Sequence, residues 1–425
     1  MRSWRSSRPS STSKPEARCA DWQGLARLLA GAPLTQLAAL APGGVNVALV
    51  GGAIRDVLLG RAPKDLDLIV DRGFERYLDA IASQRGARPA DIGDAFQHTH
   101  RFRWKGIQVD VARRQGSLEE DLGRRDFSIN ALALPLRAGN DPQSSLVDPH
   151  GGLPDLLSGL LRETSPGALA ADPLRALRAV RYAADLPGFA LDDSTAAEVA
   201  SIAEYLTGVA RERIQTEWSL SLGSAEWCGA LRLGSQLGVC RPTLGDLSSY
   251  VAVDAWAAVE AELHLAPPQQ RGRLGALTID LAGGVGIEVV AARLLEGCWP
   301  TAQVRSAERV ARWASDCGNA SVEQLAAWSL RDPGAAADAA LLASRLWPAS
   351  VADELYRAAQ RAGEPRWITG DDLISWGMSP GPQMGRVLRE LALGQITRRW
   401  TAARNARAWA RTRARQSISR EGSEG

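Results

Sequence analysis

The sequence predicts an α+β protein in which a mixed α/β head is followed by an all-helical neck, body and tail. Short strand-forming runs at 45–50, 65–70 and 102–114 all lie in the first third of the chain. From about residue 153 onward, apolar residues recur at helical spacing, and Ala and Leu are frequent. A length of 425 residues is enough for about two to four domains.

The composition is that of a globular chain without a membrane span. Hydrophobic residues make up 45% and charged residues 23%, and no apolar run approaches the roughly 18 to 20 residues that a span requires. Five cysteines are scattered without a CxxC pair, so neither a zinc site nor a disulfide framework is indicated. We therefore expect a protein of the cytoplasm, with no membrane partner and no stable protein partner.

Both ends of the chain are basic although the net charge is only +2. The start is rich in arginine and has no acid before Glu16, but it is short and contains Pro9, which favours a disordered tail over a transit segment. We expect five segments along the chain, which are a disordered N-terminal tail (1–22), a head (23–150), a neck (151–220), a body (221–365) and a C-terminal tail (366–425).

The stretch VGGAIRDVLLGRAPKDLDLIV at residues 50–70 places a glycine turn ahead of two aspartates. Gly51 and Gly52 end a predicted strand and precede a short helix. Glycines let backbone N–H groups approach phosphate oxygens closely, the helix N-terminus attracts anions, and Arg55 adds a positive charge. The segment therefore predicts a phosphate-binding turn, although a Gly-Gly pair alone is more often only a turn.

Two aspartates lie two residues apart on the predicted strand DLDLIV. Asp65 and Asp67 therefore share one face, while Leu66 and Leu68 lie on the other. Carboxylates at this spacing can share divalent cations, and core packing gives no reason for the pair. Asp110, on the alternating strand of FRWKGIQVDVARR, is a candidate third catalytic carboxylate. The alternative interpretation is a solvated strand end.

A metal-bound nucleoside triphosphate accounts for the glycines and the carboxylates together. Mg²⁺ held by Asp65 and Asp67 would bridge the phosphates, activate an attacking 3′-hydroxyl and stabilise the leaving pyrophosphate. Such a nucleotidyl transfer needs no side-chain nucleophile. The order and spacing of the two motifs favour this interpretation over two unrelated structural features.

The motifs, taken in order, resemble those of class II tRNA nucleotidyltransferases and bacterial poly(A) polymerases. GGAIRDVLLG followed by DLD resembles the GGxxRDxxLG and DxD motifs of the family's head. Further matches are EEDLGRRDFSINALAL (119–134), LVDPHGGLPDL (146–156), DPLRALRAVRYAADL (172–186), RERIQTEW (211–218) and ITGDDLISWGMSPGPQMGRVLREL (368–391). Residues 219–365 match no motif. The resemblance implies a polymerase β-like nucleotidyltransferase head that uses Mg²⁺, CTP and ATP, with the acceptor end of tRNA as partner.

The resemblance also implies roles for the RRDFSIN segment. Arg125, Asp126 and Asn130 would contact the ribose and phosphates of the nucleotide and discriminate ribonucleotides from deoxyribonucleotides. The simpler alternative is that Arg124, Arg125 and Asp126 form only surface ion pairs, which contribute less than ~1 kcal/mol.

A predicted helix carries three arginines on one broad face. Arg175, Arg178 and Arg181 recur every three residues after Asp172. By the resemblance, Asp172 and Arg175 would read the Watson–Crick edge of the incoming base, while Arg178 and Arg181 would lie near phosphates. A solvated basic stripe is the alternative. The family usually has Glu before this aspartate, whereas this chain has Ala171, so the support that Glu gives is missing or replaced.

The segment TRRWTAARNARAWARTRARQSISR at 397–420 contains eight arginines and no acid. Its strong helix formers predict a terminal helix with arginines on several faces. A phosphate-binding tail for the acceptor arm of a structured RNA explains the charge better than a merely solvated helix. The candidate RNA-binding residues are Arg398, Arg399, Arg404, Arg407 and Arg411.

The leading hypothesis is a template-independent tRNA nucleotidyltransferase that adds CCA or CC to the 3′ end. Only the four residues QGSL separate VDVARR from EEDL, where relatives that add the terminal adenosine carry a longer loop. This shortening favours addition of CC alone, with full CCA addition as a close alternative. A poly(A) polymerase is the second hypothesis, because its head motifs are nearly the same. A non-catalytic RNA-binding protein on this scaffold is the third, but it predicts damaged carboxylates, whereas Asp65 and Asp67 are intact.

Overall fold

The computed structural model describes residues 18–92, 99–136, 141–224, 226–244, 273–278 and 286–421. Residues 1–17 of the predicted N-terminal tail, and 245–272 and 279–285 of the predicted body, lie outside the described residues. Within the described ranges, no helix is both long enough and apolar enough to cross a membrane.

Two compact units make up the chain. The first contains the residues up to Gly208 together with Leu237–Val239. The second contains Val209–Gln236 and the residues from Cys240 onward. All β-strands of the described residues belong to the first unit, and the regular structure described in the second is helical. The predicted α+β class, with a mixed head and a helical remainder, is confirmed.

A mixed six-stranded sheet forms the centre of the head. Its strands are β1 (Val47–Val50), β2 (Asp65–Val70), β3 (Ala90–Asp91), β4 (Thr99–Trp104), β5 (Ile107–Arg113) and β6 (Ala133–Pro135). The strand order is β3-β4-β5-β2-β1-β6, in which only β2 and β5 run parallel. Leu66 and Leu68 of β2 are fully buried, which leaves Asp65 and Asp67 on the opposite face, as the alternation predicts.

Helices flank this sheet and continue into the neck. The α-helices of the first unit are α1 (Trp22–Ala30), α2 (Ala32–Ala39), α3 (Gly52–Leu58), α4 (Phe74–Arg85), α5 (Leu118–Gly123), α6 (Pro142–Ser145), α7 (Gly152–Ser158), α8 (Leu174–Asp185) and α9 (Asp193–Ile202). Short 3-10 helices cover Ser128–Asn130 and Ala203–Gly208. The neck also contains a parallel pair, β7 (Leu160–Leu161) and β8 (Ala190–Leu191), which helical periodicity does not predict. Two residues per strand are too few to alternate visibly in a sequence.

Polar side chains fix α7 against the 3-10 turn of the RRDFSIN segment. Asp148 accepts hydrogen bonds from the N–H groups of Gly152 and Leu153 at 2.6 and 2.9 Å, which caps the start of α7. A Cβ on Gly152 would clash with the carbonyl oxygen of Ser128, so only glycine allows this approach. The Ser128 hydroxyl then donates to Asp155 at 2.6 Å. These contacts hold the turn that carries Asn130.

The described part of the second unit consists of helices. They are α10 (Arg211–Gly223), α11 (Trp227–Gln236), α12 (Cys240–Leu244), α13 (273–278), α14 (Ile287–Glu296), α15 (Thr301–Asp316), α16 (Val322–Arg331), α17 (Pro333–Leu346), α18 (Ala349–Ala362), α19 (Gly370–Ser375), α20 (Pro382–Ile396) and α21 (Ala403–Glu421). Trp313 and Trp328 stack with ring centroids 5.6 Å apart, which adds aromatic contact between α15 and α16.

The last three helices enclose a small core of their own. Its buried members include Ile368, Leu373, Met378, Met384, Val387, Leu391, Trp400, Ala406, Ala410 and Ala414. The three alanines recur every fourth residue and form the inner stripe of α21. Gly394 is required where Trp400 packs, because a Cβ at that position would clash with the indole ring. Arg404, Arg407, Arg411, Arg413 and Arg415 of α21 are exposed and lie away from this core.

Candidate active site

Two neighbouring strands bring three carboxylates together. Asp65 and Asp67 lie on one face of β2, and the parallel register pairs Asp67 with Asp110 of β5. Arg101 of β4 already binds Asp110, donating through Nε and Nη2 at 2.8 and 2.7 Å. Across the described ranges, neither the Asp65 nor the Asp67 carboxylate accepts a hydrogen bond. The β2 pair is therefore the part of the cluster that is open to a ligand.

Burial and mutual repulsion disfavour the charged forms of the two β2 carboxylates. Burial raises the pKa of Asp65, and the charges of Asp110 and Asp56 raise it further. Burial raises the pKa of Asp67 to about 6, although Arg125 opposes the shift while Asp65 and Asp110 reinforce it. Carboxylates that repel each other and lack partners are stabilised by a bound cation.

The donor set fits a metal site that the substrate completes. Among the residues that the structure describes, no group of three or more His, Cys, Asp or Glu side chains is arranged to hold a metal ion alone. Asp65 and Asp67 supply two carboxylates, and a hard divalent cation can take its other oxygen ligands from phosphates and water. Such shared coordination is the arrangement used when metal ions bridge enzyme and triphosphate.

The glycine turn leaves a small space beside these carboxylates. Gly51 has a φ of 74°, in the left-handed region that favours glycine. A Cβ there would lie 2.8 Å from Arg125 Nη1 and 3.6 Å from Asp67 Oδ2, so any side chain would fill the space between them. Nη1 is the guanidinium atom beside the turn, while the buried Nε of the same group has no hydrogen-bond partner among the described residues. A guanidinium group in this position suits an anionic ligand.

Arg55 of α3 donates its hydrogen bonds to other side chains of the protein. The side chain is only 8% exposed, and its Nη1 donates to Asn130 Oδ1 at 2.6 Å. Its Nε and Nη2 both donate to Asp56, at 2.8 and 2.6 Å. The guanidinium also lies 5.1 Å from the ring centroid of Tyr182. In this structure Arg55 links α3 to the 3-10 turn and to α8, and its contact with phosphate stays a prediction.

Asp126 is the centre of a second buried network. It accepts hydrogen bonds from the Phe127 N–H at 2.8 Å, Asn130 Nδ2 at 2.9 Å and Arg178 Nε at 2.9 Å. Burial alone would raise the pKa of Asp126, but the Arg178 charge and these hydrogen bonds outweigh it and lower the pKa to about 2. Asp126 and Asn130 thus have structural partners in addition to the nucleotide contacts predicted for them.

The arginines of α8 are each bound to a protein group and do not form an open stripe. Arg178 donates to Tyr182 Oη at 3.1 Å in addition to Asp126. Arg181 donates to Asp185 at 3.1 Å and lies 4.2 Å from the Tyr182 ring centroid. Tyr182 is therefore a shared surface for several guanidinium groups, which sequence reasoning missed. Its place directly after Arg181 in the motif is the signal that could have indicated it.

The base-reading pair predicted for α8 lies at the start of the helix. Asp172 Oδ1 accepts from the Leu174 N–H at 3.2 Å, and Arg175 Nη1 donates to the Ala168 carbonyl at 2.6 Å. Burial is the main cause that lowers the pKa of Arg175. Arg175 thus has an orienting partner although Ala171 stands where the family usually has Glu.

A residue that sequence reasoning missed holds the loop carrying this carbonyl. Glu163 Oε1 accepts a hydrogen bond from the Leu169 N–H at 2.7 Å, one residue beyond Ala168. The backbone N–H of Glu163 in turn donates to the Thr195 hydroxyl at 2.9 Å. Because the acceptor for Arg175 is a backbone carbonyl, no sequence pattern could have indicated it.

The predicted RNA-binding arginines lie on the outer surface of the C-terminal tail. All five are exposed, namely Arg398, Arg399, Arg404, Arg407 and Arg411. Arg399 pairs with Glu390 at 3.5 Å, and Arg411 lies 5.0 Å from the ring centroid of Trp376. The surface is separate from the buried alanine stripe of α21, so it can contact a ligand without disturbing the core.

The fold and the site define the class of protein as a nucleotidyltransferase with two carboxylates on one strand of a mixed sheet, beside a glycine turn. The model of the Poly A polymerase head domain matches residues 47–162. A CC-adding tRNA nucleotidyltransferase of Geobacter sulfurreducens is 31% identical over 374 residues, which are 79% of this chain and 85% of that relative. The chain belongs to the family of CC- and CCA-adding tRNA nucleotidyltransferases.

Other relatives agree with this assignment. A CC-adding tRNA nucleotidyltransferase of Synechocystis sp. is 37% identical over 213 residues, which are 48% of this chain and 50% of that relative, so this match spans about half its length. The structure of a Thermotoga maritima CCA-adding enzyme complexed with tRNA has a TM-score of 0.63 at 18% identity, covering 91% of this chain and 97% of the other. That of a Bacillus stearothermophilus CCA-adding enzyme with CTP has a TM-score of 0.62 at 24% identity, covering 92% and 100%. At these identities the structural likeness concerns the fold.

Proposed function

We propose that this enzyme transfers CMP from CTP to the 3′ end of tRNA and stops after two additions. The observation that carries the transfer reaction is the Asp65–Asp67 pair, which lies beside the Gly51 turn and lacks hydrogen-bond partners within the described ranges. The relatives from Geobacter sulfurreducens and Synechocystis sp. carry the name CC-adding tRNA nucleotidyltransferase, which supports tRNA as the acceptor.

Each group of the site would contribute a separate function. Mg²⁺ bound by Asp65 and Asp67 would supply the Lewis acidity that activates the 3′-hydroxyl and neutralises the leaving pyrophosphate. Arg125 lies beside Gly51, where its charge would hold the triphosphate. Arg175, oriented by the Ala168 carbonyl, would read the cytosine edge together with Asp172.

The proposal of CC addition rests on the connection between β5 and α5. β5 ends at Arg113, and α5 begins at Leu118 after a capping box formed by Ser117 and Glu120. The Gln115 N–H donates to Asp121 Oδ1 at 3.0 Å, and its carbonyl accepts from Arg124 Nη2 at 2.6 Å. A closed connection of this length leaves no chain for the longer loop that, by the resemblance, accompanies addition of the terminal adenosine.

Incorporation of single nucleotides tests the proposal. The acceptors are a tRNA transcript ending at the discriminator base, one ending in CC, and an unstructured RNA, each incubated with CTP or ATP alone. We expect two CMP additions to the first transcript and none to the other two RNAs, and no AMP addition. AMP addition to the transcript ending in CC would establish full CCA addition. Repeated AMP addition to the unstructured RNA would establish a poly(A) polymerase.

We further propose a division of tasks along the chain and a cytoplasmic location. Catalysis is assigned to the head (23–150), base recognition to the neck (151–220) and RNA binding to the C-terminal tail (366–425). All five cysteines are free thiols, and Cys19 and Cys298 are exposed, which supports a reducing compartment.

A further inference from the structure

A shallow cationic cleft opens on the head directly beside Asp65. Its volume is about 670 Å³, and its lining includes Pro63, Lys64, Asp65, Arg103, Lys105 and Gly106. Lys64 immediately precedes the catalytic strand β2, and the other two cations come from the end of the β4–β5 hairpin. Three positive charges against a single carboxylate make the cleft a surface for an anion.

The two lysines are available to a ligand. Both are exposed, and neither forms an ion pair with any residue that the structure describes. Arg103 has a structural task, because its Nη2 donates to the Gly106 carbonyl across the hairpin turn at 3.0 Å. Lys105 has a φ of 49°, a left-handed conformation that is unfavourable for a lysine and that the two-residue turn imposes. The hairpin thus holds Lys105 at one fixed place on the edge of the cleft.

The position of the cleft along β2 distinguishes it from the triphosphate side of the site. Asp67 is the carboxylate next to Gly51, with its Oδ2 only 3.6 Å from the position of a Cβ there, and Arg125 is its strongest charged neighbour. Asp65 is the carboxylate that lines the cleft. Asp67 therefore lies beside the glycine turn and Arg125, whereas Asp65 lies beside the lysine cleft.

In-line transfer requires the attacking hydroxyl and the leaving pyrophosphate to lie on opposite sides of the reacting phosphorus. If the glycine turn and Arg125 hold the triphosphate, the 3′-hydroxyl must arrive from the Asp65 side. The strand that carries this hydroxyl has a backbone phosphate one nucleotide away, within reach of a cationic surface next to Asp65.

We propose that the cleft formed by Lys64, Lys105 and Arg103 binds the last phosphodiester of the RNA acceptor strand and so places its 3′-hydroxyl at Asp65. The inference rests on the proposed function and adds to it the surface that positions the RNA end. It requires a charged phosphate rather than a particular base, so binding should be independent of the terminal base.

The test removes charge while keeping side-chain length. Lys64→Gln and Lys105→Gln are compared with Arg72→Gln, which removes an exposed cation at the opposite end of β2. On a tRNA ending at the discriminator base, we expect each lysine variant to raise the KM for tRNA about three- to tenfold and to leave the KM for CTP unchanged. Arg72→Gln should match the wild type, and Lys64→Arg should restore the KM.

A matched RNA sharpens the comparison. Replacing the last phosphodiester by a neutral methylphosphonate should raise the KM for the wild type by at least the factor of either lysine variant, and Lys64→Gln should then add no further loss. If the KM increases caused by the methylphosphonate and by Lys64→Gln multiply, the two act independently and the proposal is overturned. It is also overturned if the wild type incorporates CMP and the lysine variants behave like Arg72→Gln. If the wild type fails to incorporate CMP, the proposed function is wrong. Equilibrium binding of the native and the methylphosphonate RNA to the same variants then tests separately whether the cleft binds the phosphodiester.

Discussion

Asp67 is partly buried and Asp126 is buried in the head, and their surroundings shift their pKa values in opposite directions. Burial, reinforced by the charges of Asp65 and Asp110 and opposed by Arg125, raises the pKa of Asp67 to about 6. Burial would also raise that of Asp126, but the Arg178 charge and hydrogen bonds from Asn130 and Phe127 lower it to about 2. The first environment favours a neutral acid until a cation binds, whereas the second stabilises the anion in the protein itself.

Asparagine substitutions should therefore have opposite effects on the metal-free protein. The native state binds the Asp67 proton more tightly than the unfolded state does, so ionisation of Asp67 costs stability as pH rises from about 4 to above 6. In EDTA at pH 8, Asp67→Asn should raise the free energy of unfolding by about 2 to 3 kcal/mol, and the gain should vanish below about pH 4. Asp126→Asn should lower it at pH 8, because the stabilisation from the ionised Asp126 is present above pH 4 and lost toward pH 2. Urea unfolding measures both, and the same sign for the two variants would contradict the assignment.

Base choice should depend on Asp172 and Arg175 and much less on Arg178. Cytosine N4 donates where uracil O4 accepts, so loss of a partner should lower use of CTP and raise relative use of UTP. Arg178 is bound to Asp126 and Tyr182, so Arg178→Ala should weaken both nucleotides alike. The measurement is the ratio of kcat/KM for CTP and UTP. A ratio that survives both Asp172→Ala and Arg175→Ala would refute the base-reading role.

Glu163 should influence the ratio of kcat/KM for CTP and UTP indirectly, through the loop that positions Arg175. Glu163→Ala removes the acceptor for the Leu169 N–H and loosens the loop whose Ala168 carbonyl holds Arg175. We expect the CTP preference to fall about three- to tenfold, and Glu163→Gln to restore it, because its amide oxygen can accept the same hydrogen bond. A change in stability without a change in nucleotide preference would show that Glu163 supports only the loop.

At the scale of single elements, the sequence was most informative where a local pattern and a chemical requirement coincide. DLDLIV predicts a strand over 65–70, and β2 occupies those residues because leucines and aspartates alternate across it. The glycine turn was likewise predictable, since the left-handed φ of Gly51 needs glycine. The β7–β8 pair, the Arg101–Asp110 ion pair and the Ala168 acceptor were not, because they depend on residues brought together by tertiary packing.

The α21 helix separates its two tasks by face. Ala406, Ala410 and Ala414 are buried, whereas Arg404 and Arg407 are exposed. This separation makes side-chain substitution a better test than truncation at 397, which would also remove Trp400 from the core of the C-terminal tail.

The prediction for this element concerns salt. Replacing Arg404, Arg407 and Arg411 by Gln should weaken tRNA binding and make the slope of log affinity against log salt shallower by about two units, at roughly 0.7 to 0.9 per phosphate contact. The matched control replaces the same three residues by Lys, which keeps the charge and should keep the slope. An unchanged slope in the Gln variant would mean that these arginines are only solvated.

At the scale of the whole molecule, the sequence motifs cover the parts that meet nucleotide and RNA and leave the body without any. A helical body needs only apolar residues at helical spacing, which many sequences satisfy equally well, so its pattern predicts helices and no chemistry. In the head and neck, specific side chains must bind a metal, a triphosphate and a base. Their identities and spacing can therefore be recognised in the sequence. The family was predictable from residues 45–218 for this reason.

Asp65 and Asp67 are the two side chains that we expect to carry the transfer. Asp110 should matter less, because Arg101 already neutralises it, so Asp110→Ala should slow CMP incorporation less than either β2 variant. Binding of tRNA should be unaffected by all three variants, since none of them removes a cation of the C-terminal tail or of the cleft beside Asp65.

The most direct measurement is CMP incorporation into a tRNA ending at the discriminator base, with Mg²⁺ as the only divalent metal. Asp65→Ala and Asp67→Ala should each lower incorporation about a thousandfold or more, while tRNA binding stays within about twofold of the wild type. Incorporation at the wild-type rate by either purified variant would contradict this prediction.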